Sequence, residues 1–304
     1  MNARLLSAIA LFIFVFILPS GYMIKNYLQN KYEQESKNSI IESFTTLSSK
    51  LQNGDKESLK AIKTLSKEIK LIASMNLIVN YEDADIYDAK VFNSEKKRLL
   101  NALLLKNKLK RDDYIAIYDT ANTLVCLLDN TETKSTLFSA YEKSSAVYYV
   151  KNSSTGSYEK QTLSLDVKSV VDELTLFSAD YANSSKVVYE NIDKTLRVKS
   201  KVPILRRRVN NKDETLGYLI IFKEYSQEYL GSLLTPNVLL KYVEAPKNST
   251  KNPLKFSGSK YSMPELFSKN GFDDLLIQED NSRFFARTRF PVKNGSLLIK
   301  VEAK

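Results

Sequence analysis

The 304 residues include no histidine, no tryptophan, one cysteine, eight glycines and seven prolines. Without histidine the chain lacks the commonest general base and the commonest metal ligand, which excludes Ser-His-Asp and Cys-His catalysis. One cysteine cannot form an internal disulfide. Cys126 sits in the apolar run Leu124 to Leu128 and reads as a small buried hydrophobe. Scarce glycine and proline exclude a low-complexity chain and a solenoid turned on glycines. No glycine-rich phosphate loop of the P-loop or dinucleotide type occurs. Three S-x-x-K matches (Ser94 to Lys97, Ser157 to Lys160, Ser257 to Lys260) lack a K-T-G partner, and a Ser- and Lys-rich chain yields such hits by chance. Asp83, Asp85 and Asp88 offer hard oxygens, but their spacing departs from an EF-hand and no loop glycine follows, so a solvated turn is expected. The sequence predicts no enzyme, no cofactor and no metal site.

What is present is an ordinary folding composition, 43% apolar and 26% charged, with a net charge of +10. The lysines are dispersed among Asp, Glu, Ser and Asn along the whole chain, which fits a solvated basic surface better than a nucleic-acid footprint. From Leu5 to Ile24 run 20 residues without a charge, between Arg4 and Lys25. A helix of that length, at about 1.5 Å per residue, spans a hydrocarbon core about 30 Å thick. A cleaved leader is the rival, because Ala8 to Leu18 has signal-like length. No A-x-A pattern follows Leu18-Pro19-Ser20 and the segment runs directly into helical sequence, so an uncleaved anchor is expected. A four-residue tail is easily kept in the cytoplasm, which leaves residues 25–304 outside an inner (cytoplasmic) membrane.

After the anchor, Lys25 to about Met75 reads as helix. Ile40, Phe44, Leu47 and Leu51 recur at spacings of 4, 3 and 4, a stripe that suits either a core or a dimer seam. Asn53-Gly54-Asp55 reads as an interruption, a C-cap followed by an N-cap. The pattern then resumes through Leu59, Ile62, Leu65, Ile69 and Ile72. A third helix is expected over Ser94 to Lys110, capped by Ser94 and apolar at Leu99, Leu100, Leu103 and Leu104. Beyond Arg111 the period becomes strand-like. Tyr114 to Tyr118 and Leu124 to Leu128 flank a hairpin signal at Asp119 to Thr123. Further strands are expected at Ala146 to Val150, Glu173 to Phe177, Lys186 to Tyr189, Thr195 to Ile204 and Gly217 to Phe222. The series ends with Val238 to Val243, Leu275 to Ile277, Arg283 to Val292 and Leu297 to Val301. Short helices fit Gln227 to Leu234 and Met263 to Phe267. The class is α+β, helices first and antiparallel sheet afterwards.

Val187 to Ile204 aligns without a gap on Leu275 to Val292, an offset of 88 residues from Pro203 to Pro291. Lys199-Ser200-Lys201-Val202-Pro203-Ile204 faces Arg287-Thr288-Arg289-Phe290-Pro291-Val292, and each is followed by a loop and a glycine-led strand from Gly217 or Gly295. Two copies of one supersecondary unit predict two similar subdomains.

At these residues the chain resembles the double-Cache sensor regions of bacterial chemoreceptors, histidine kinases and diguanylate cyclases; CHASE-type sensors share the architecture. The resemblance runs from the anchor through the long helix and both repeat units. Its most telling piece is Leu196 to Leu233: a strand through Val202-Pro203-Ile204, a polar loop, Leu216-Gly217-Tyr218-Leu219-Ile220-Ile221, and a helix bearing Tyr229-Leu230. Glu173 to Phe177 looks like a strand common to Cache domains. Without tryptophan, the Tyr/Arg/Trp/Asp signature of the amino-acid-binding members is incomplete. The resemblance implies a transmembrane helix (1–24), a helical stalk (25–110), a membrane-distal PAS-like subdomain (111–234) and a membrane-proximal one (235–304). It implies ligand sensing coupled through the membrane, and a homodimer formed through the stalk. A membrane-anchored interaction module of the envelope is the alternative.

In a Cache fold the ligand lies against one sheet face, under loops. Between Thr195 and Pro203, Leu196, Val198, Ser200 and Val202 face one way and Arg197, Lys199 and Lys201 the other; Arg287 and Arg289 repeat this. A guanidinium there grips a carboxylate bidentately, and a tyrosine adds a hydroxyl and an apolar wall. The candidate ligand residues are Tyr148, Tyr149, Asp180, Tyr181 and Arg197, for a small carboxylate-bearing molecule. Arg206-Arg207-Arg208 falls in a hairpin loop, where solvation accounts for it.

Overall fold

The computed structural model describes residues 13–107, 113–131, 134–152, 156–180, 185–192, 195–208, 212–244, 259–260, 276–280, 283–293 and 295–303. A π-helical segment (Ile13–Ile17), five α-helices and thirteen strands occupy them: α1 (Leu18–Leu65), α2 (Ile69–Tyr81), α3 (Ala89–Asn107), β1 (Tyr114–Asp119), β2 (Leu124–Asp129), β3 (Thr136–Glu142), β4 (Ser145–Lys151) and β5 (Glu159–Lys160). Then come α4 (Leu165–Asp180), β6 (Lys186–Ile192), β7 (Thr195–Arg207), β8 (Asp213–Tyr225) and α5 (Gln227–Ser232). The last strands are β9 (Val238–Glu244), β10 (Ser259–Lys260), β11 (Leu276–Asp280), β12 (Arg283–Val292) and β13 (Gly295–Ala303). The chain divides into two compact units: Lys50–Ser226 with Val292–Asn294, and Met1–Ser49 with Gln227–Pro291 and Gly295–Lys304.

The larger unit is built on one antiparallel sheet in the order β5-β4-β3-β2-β1-β8-β7-β6. Its central strands are apolar at nearly every position because both faces are covered. Ile115 and Ile117 of β1, with Leu219 and Ile221 of β8, meet Ile62, Met75, Leu100 and Leu103 from α1, α2 and α3. Ala116, Tyr118, Ile220 and Phe222 point the other way, onto Val171, Leu174 and Phe177 of α4. Cys126 belongs to the first of these layers, and burial pushes its thiol up to about 12. In the smaller unit the sheet order is β10-β11-β12-β13-β9. There the α1 residues Ile40, Phe44 and Leu47 are fully buried, and Phe284 of β12 lies 6.2 Å from the Tyr32 ring and under the Lys37 ammonium.

The internal repeat is a repeat of register. In the β6–β7 hairpin Ile192 faces Thr195 and Val188 faces Lys199; 88 residues on, Asp280 faces Arg283 and Leu276 faces Arg287. Each pair keeps the same offset on both strands. Pro203 and Pro291 are each the ninth residue of their strand. Pro291 is one residue from its strand end, whereas β7 continues past Pro203 to Arg207, so only the second proline stands at a strand end.

Three sequence expectations are corrected. Asn53-Gly54-Asp55 does not break α1, which continues to Leu65; the break is Ser66-Lys67-Glu68. Sheet contacts hold the helix through the glycine, since the Tyr225 hydroxyl lies 3.3 Å from where a Gly54 Cβ would be and Tyr189 donates to Asp55. Helix α3 begins at Ala89 and is capped by Asp88, whose Oδ1 accepts from the Lys90 and Val91 amides. Ser94 lies inside it and donates back to the Lys90 carbonyl. Glu173 to Phe177 is not a strand but the middle of α4. Its buried residues Val171, Leu174, Phe177 and Ser178 follow a helical period. Among the described residues no helix is long and apolar enough to cross a membrane. The expected anchor starts in residues 1–12, outside the described ones; its remainder is helical and exposes Phe14, Ile17, Leu18, Met23 and Ile24. The expected helix over Met263 to Phe267 also lies outside the described residues.

Candidate functional site

Helix α4 lies across the sheet of the larger unit and leaves a cavity of about 520 Å³ on one flank. Three pieces of chain line it: Ala146, Val147 and Tyr148 of β4, residues 160–163, and Lys168, Val171 and Asp172 of α4. That volume is in the range that holds a small metabolite. The segment 160–163 is held against β4 by the Gln161 amide, which donates to the Tyr148 carbonyl at 3.0 Å. Ser164 then starts α4, its Oγ accepting from the Val167 amide at 3.4 Å and its carbonyl from the Lys168 amide at 2.9 Å. Val167, Val170, Val171, Leu174 and Phe177 face the sheet, so Lys168 and Asp172, one turn apart, stand on the cavity flank.

The polar groups of the cavity fall into two kinds. Lys160 is committed: its ammonium lies 2.6 Å from Glu142, which also accepts from the Tyr149 hydroxyl at 2.8 Å. Lys168 and Asp172 have no side-chain hydrogen bond or ion pair among the described residues. Tyr148 is half-buried, and burial, reinforced by the nearby Asp172 charge, holds its phenol above the usual tyrosine range. It is therefore a neutral hydroxyl donor at physiological pH. A cation, an anion, a hydroxyl, the Gln161 side-chain amide and the Thr162 hydroxyl lie around the cavity beside the apolar wall of Leu163 and Val171. Such a set suits a small ligand carrying charge at one end or at both.

The other flank of α4 is an ion network. Glu173 sits between Arg197 Nη1 at 2.9 Å and Lys199 Nζ at 2.6 Å. Arg197 Nε also meets Glu224 at 2.8 Å, and Lys199 meets Glu190 at 2.5 Å. Fully buried Lys201 donates to the Ser178 carbonyl and places its ammonium 3.6 Å from the Tyr218 ring. Further along, the Tyr118 hydroxyl donates to the Val171 carbonyl at 3.1 Å and Ser178 Oγ to Asn122 at 2.9 Å.

Of the five residues nominated from sequence, Tyr148 lines the cavity. Tyr149, its neighbour on β4, points to the opposite face and stacks on Phe138 with ring centroids 5.3 Å apart. Arg197 is outside the cavity lining and engaged by Glu173 and Glu224. Asp180 is the last residue of α4, and Tyr181 lies outside the described residues. The reading from sequence missed Lys168 and Asp172, which the apolar spacing at Val167, Val170, Val171, Leu174 and Phe177 would have placed on one helix flank. The three aspartates near residue 85 are used structurally: Asp83 accepts from the Asp85 amide, Asp85 from Ser144, and Asp88 caps α3. Among the described residues no group of His, Cys, Asp and Glu is placed to hold a metal ion.

No family model matches the chain, and no curated protein sequence matches it. Over about nine-tenths of its length it is similar in structure to double-Cache sensory domains of chemoreceptors and histidine kinases. One is the sensory domain of the Campylobacter jejuni chemoreceptor Tlp3, at 12% identity and a TM-score of 0.42, covering 91% of this chain and 97% of that one. Another is the ligand-binding domain of the Pseudomonas aeruginosa amino acid chemoreceptor PctC, solved with GABA, at 10% identity and a TM-score of 0.35, covering 86% and 95%. A third is the periplasmic domain of Vibrio cholerae LuxQ, at 11% identity and a TM-score of 0.33, covering 82% and 98%.

Proposed function

We propose that the chain is the extracytoplasmic ligand-sensing region of a bacterial transmembrane receptor, with residues 1–24 as its inner-membrane anchor and 25–304 outside. One observation carries this reading: the cavity beside α4 presents Lys168 and Asp172 uncommitted, next to the Tyr148 hydroxyl, on a well-packed support. The ligand is small and bears a carboxylate, which pairs with Lys168, while Asp172 takes a cationic or donor group. Tyr148 is carried over from the sequence nomination. In this reading 25–110 is a stalk that forms a homodimer, 111–234 the membrane-distal PAS-like subdomain that binds ligand, and 235–304 the membrane-proximal one.

The test is a thermal-shift screen of the full chain in detergent against organic acids, amino acids and neutral metabolites. A concentration-dependent rise in Tm with acids or amino acids, lost in Lys168→Ala and Asp172→Ala, is the expected result. Binding of neutral compounds alone would remove the charge-pairing argument. Silence across the panel would favour the alternative, an envelope interaction module without a small ligand.

A further inference from the structure

The two flanks of α4 are mechanically linked, and this is where the ion network acquires a role. Successive residues turn by about 100° around a helix, so Glu173 lies about 100° from Asp172 and about 140° from Lys168. Lys168 and Asp172 face the cavity; Glu173 faces β7 on the opposite flank. Between them Tyr118 and Lys201 donate to the Val171 and Ser178 carbonyls, which fixes the height of the helix but holds no side chain of the cavity flank. The helix also rests on the sheet through Val171, Leu174 and Phe177. Such aliphatic and aromatic contacts resist separation but specify rotation weakly, because dispersion is non-directional. The two Glu173 oxygens are engaged separately: Oε2 accepts a hydrogen bond from Arg197 at 2.9 Å, and Oε1 lies 2.6 Å from the Lys199 ammonium as an ion pair outside hydrogen-bond geometry. Arg197 and Lys199 stand two residues apart on one face of β7 and are themselves braced by Glu224 and Glu190. A carboxylate hydrogen-bonded at one oxygen and ion-paired at the other, from two points on one strand, has its direction set by the hydrogen bond and its distance by both charges.

We infer that Arg197 and Lys199 are positioning residues for the cavity: by clamping Glu173 they fix the roll of α4 that aims Lys168 and Asp172 at the bound molecule. Arg197 serves the ligand without touching it. This rests on the cavity reading above, so the experiment separates the two. Lysines of the full chain in detergent are reductively methylated with ¹³C, and the Lys168 signal is assigned by its loss in Lys168→Arg. Acetate, the smallest carboxylate, is titrated in, with isosteric acetamide as the neutral control. In the unaltered chain acetate, and not acetamide, shifts the Lys168 signal saturably. In Glu173→Gln and in Arg197→Met the free Lys168 signal moves and the half-saturating acetate concentration rises at least tenfold; Arg197→Lys, which keeps a cation over Glu173, restores most of it. An unaltered chain whose Lys168 ignores acetate overturns the cavity reading and this inference together. Variants that lose only Tm, with the Lys168 signal and its acetate response unchanged, overturn the inference and leave the cavity reading standing.

Discussion

The phenol of Tyr189, in the middle of β6, donates to the Asp55 carboxylate of α1, 134 residues earlier in the chain. Burial first, and then the charge and hydrogen bond of Asp55, hold that phenol above its ordinary range, so the donor proton stays in place. One residue away Gly54 admits the Tyr225 hydroxyl, and one turn on Ser58 Oγ accepts from Lys223 Nζ at 2.5 Å. Three side chains from the β6–β8 meander thus grip one stretch of helix. Hydrogen bonds to a charged group contribute about 1.5–3 kcal/mol. Tyr189→Phe is expected to lower the free energy of urea unfolding by that amount, with the slope against urea unchanged. A loss within experimental error would mean that solvent or a neighbour replaces the phenol without cost.

Gly217 is required for space. A Cβ there would run into the Tyr118 carbonyl of the paired strand and the Met75 methyl group. A side-chain end can yield, but a backbone carbonyl inside a sheet cannot move without disturbing its ladder. Gly217→Ala is expected to cost about 3 kcal/mol or more, the upper end for overpacking. Gly156, with open space around its Cα, is the control, and Gly156→Ala should change stability by about 0.5 kcal/mol or less. Thermal melting of both variants checks the contrast.

The strands were readable because most of them carry β-branched and aromatic runs between turn residues, and the repeat was readable because register follows spacing. Two kinds of element escaped. Strand β3 was not nominated: Leu137 and Phe138 are adjacent and both buried, one on each face, which erases the alternation that marks a half-buried strand. Helix α4 was misread because five residues, Glu173 to Phe177, are too short a window to separate a period of 2 from one of 3.6; the wider run from Val167 separates them. The cavity depends on that helix, which is why Tyr148 on a recognised strand was nominated while Lys168 and Asp172 were passed over. Arg197 was recognised as a strand-borne cation, but its partners Glu173 and Glu224 are 24 and 27 positions away and pair only through the fold.

At the β7–β8 hairpin Glu214 accepts from Arg208 and from Arg206. The Arg208 hydrogen bond is the main cause of a carboxyl held down at about 2, with Arg206 adding to it. A carboxylate lowered from its ordinary value contributes stability that is fully present above pH 4.5 and is lost as pH falls toward 2. A ¹³C titration of the Glu214 carboxyl should therefore show a midpoint near 2, and Arg208→Gln should raise it more than Arg206→Gln does. An ordinary midpoint near 4.5 would show the hairpin clasp to be open in solution.

Lys96 of α3 is buried to 1% exposure, with Glu82 at 2.5 Å and the Ser139 carbonyl at 2.8 Å. Burial pushes the two partners toward their neutral forms, raising the Glu82 carboxyl and lowering the Lys96 ammonium, while their mutual attraction opposes both shifts. Removing one member of such a pair typically costs about 3–5 kcal/mol, because the other charge is left buried. In Lys96→Met the charge left behind is Glu82, and it has a way out: it can take up a proton. Without the lysine its folded pKa rises further above the unfolded 4.5. A carboxyl raised on folding binds more protons in the folded state, so the variant loses stability as pH climbs above 4.5 toward that folded value. The stability gap between unaltered chain and Lys96→Met should thus be widest near neutral pH and narrow as the pH approaches 4.5, where only the donation to Ser139 is missing. Adding Glu82→Gln to Lys96→Met removes the titrating group, and the double variant should lose the fall in stability above pH 4.5 that Lys96→Met shows. Urea unfolding at a series of pH values measures all three chains, and a gap that stays constant for Lys96→Met would show that Glu82 remains solvated and that this pair does not behave as a buried one.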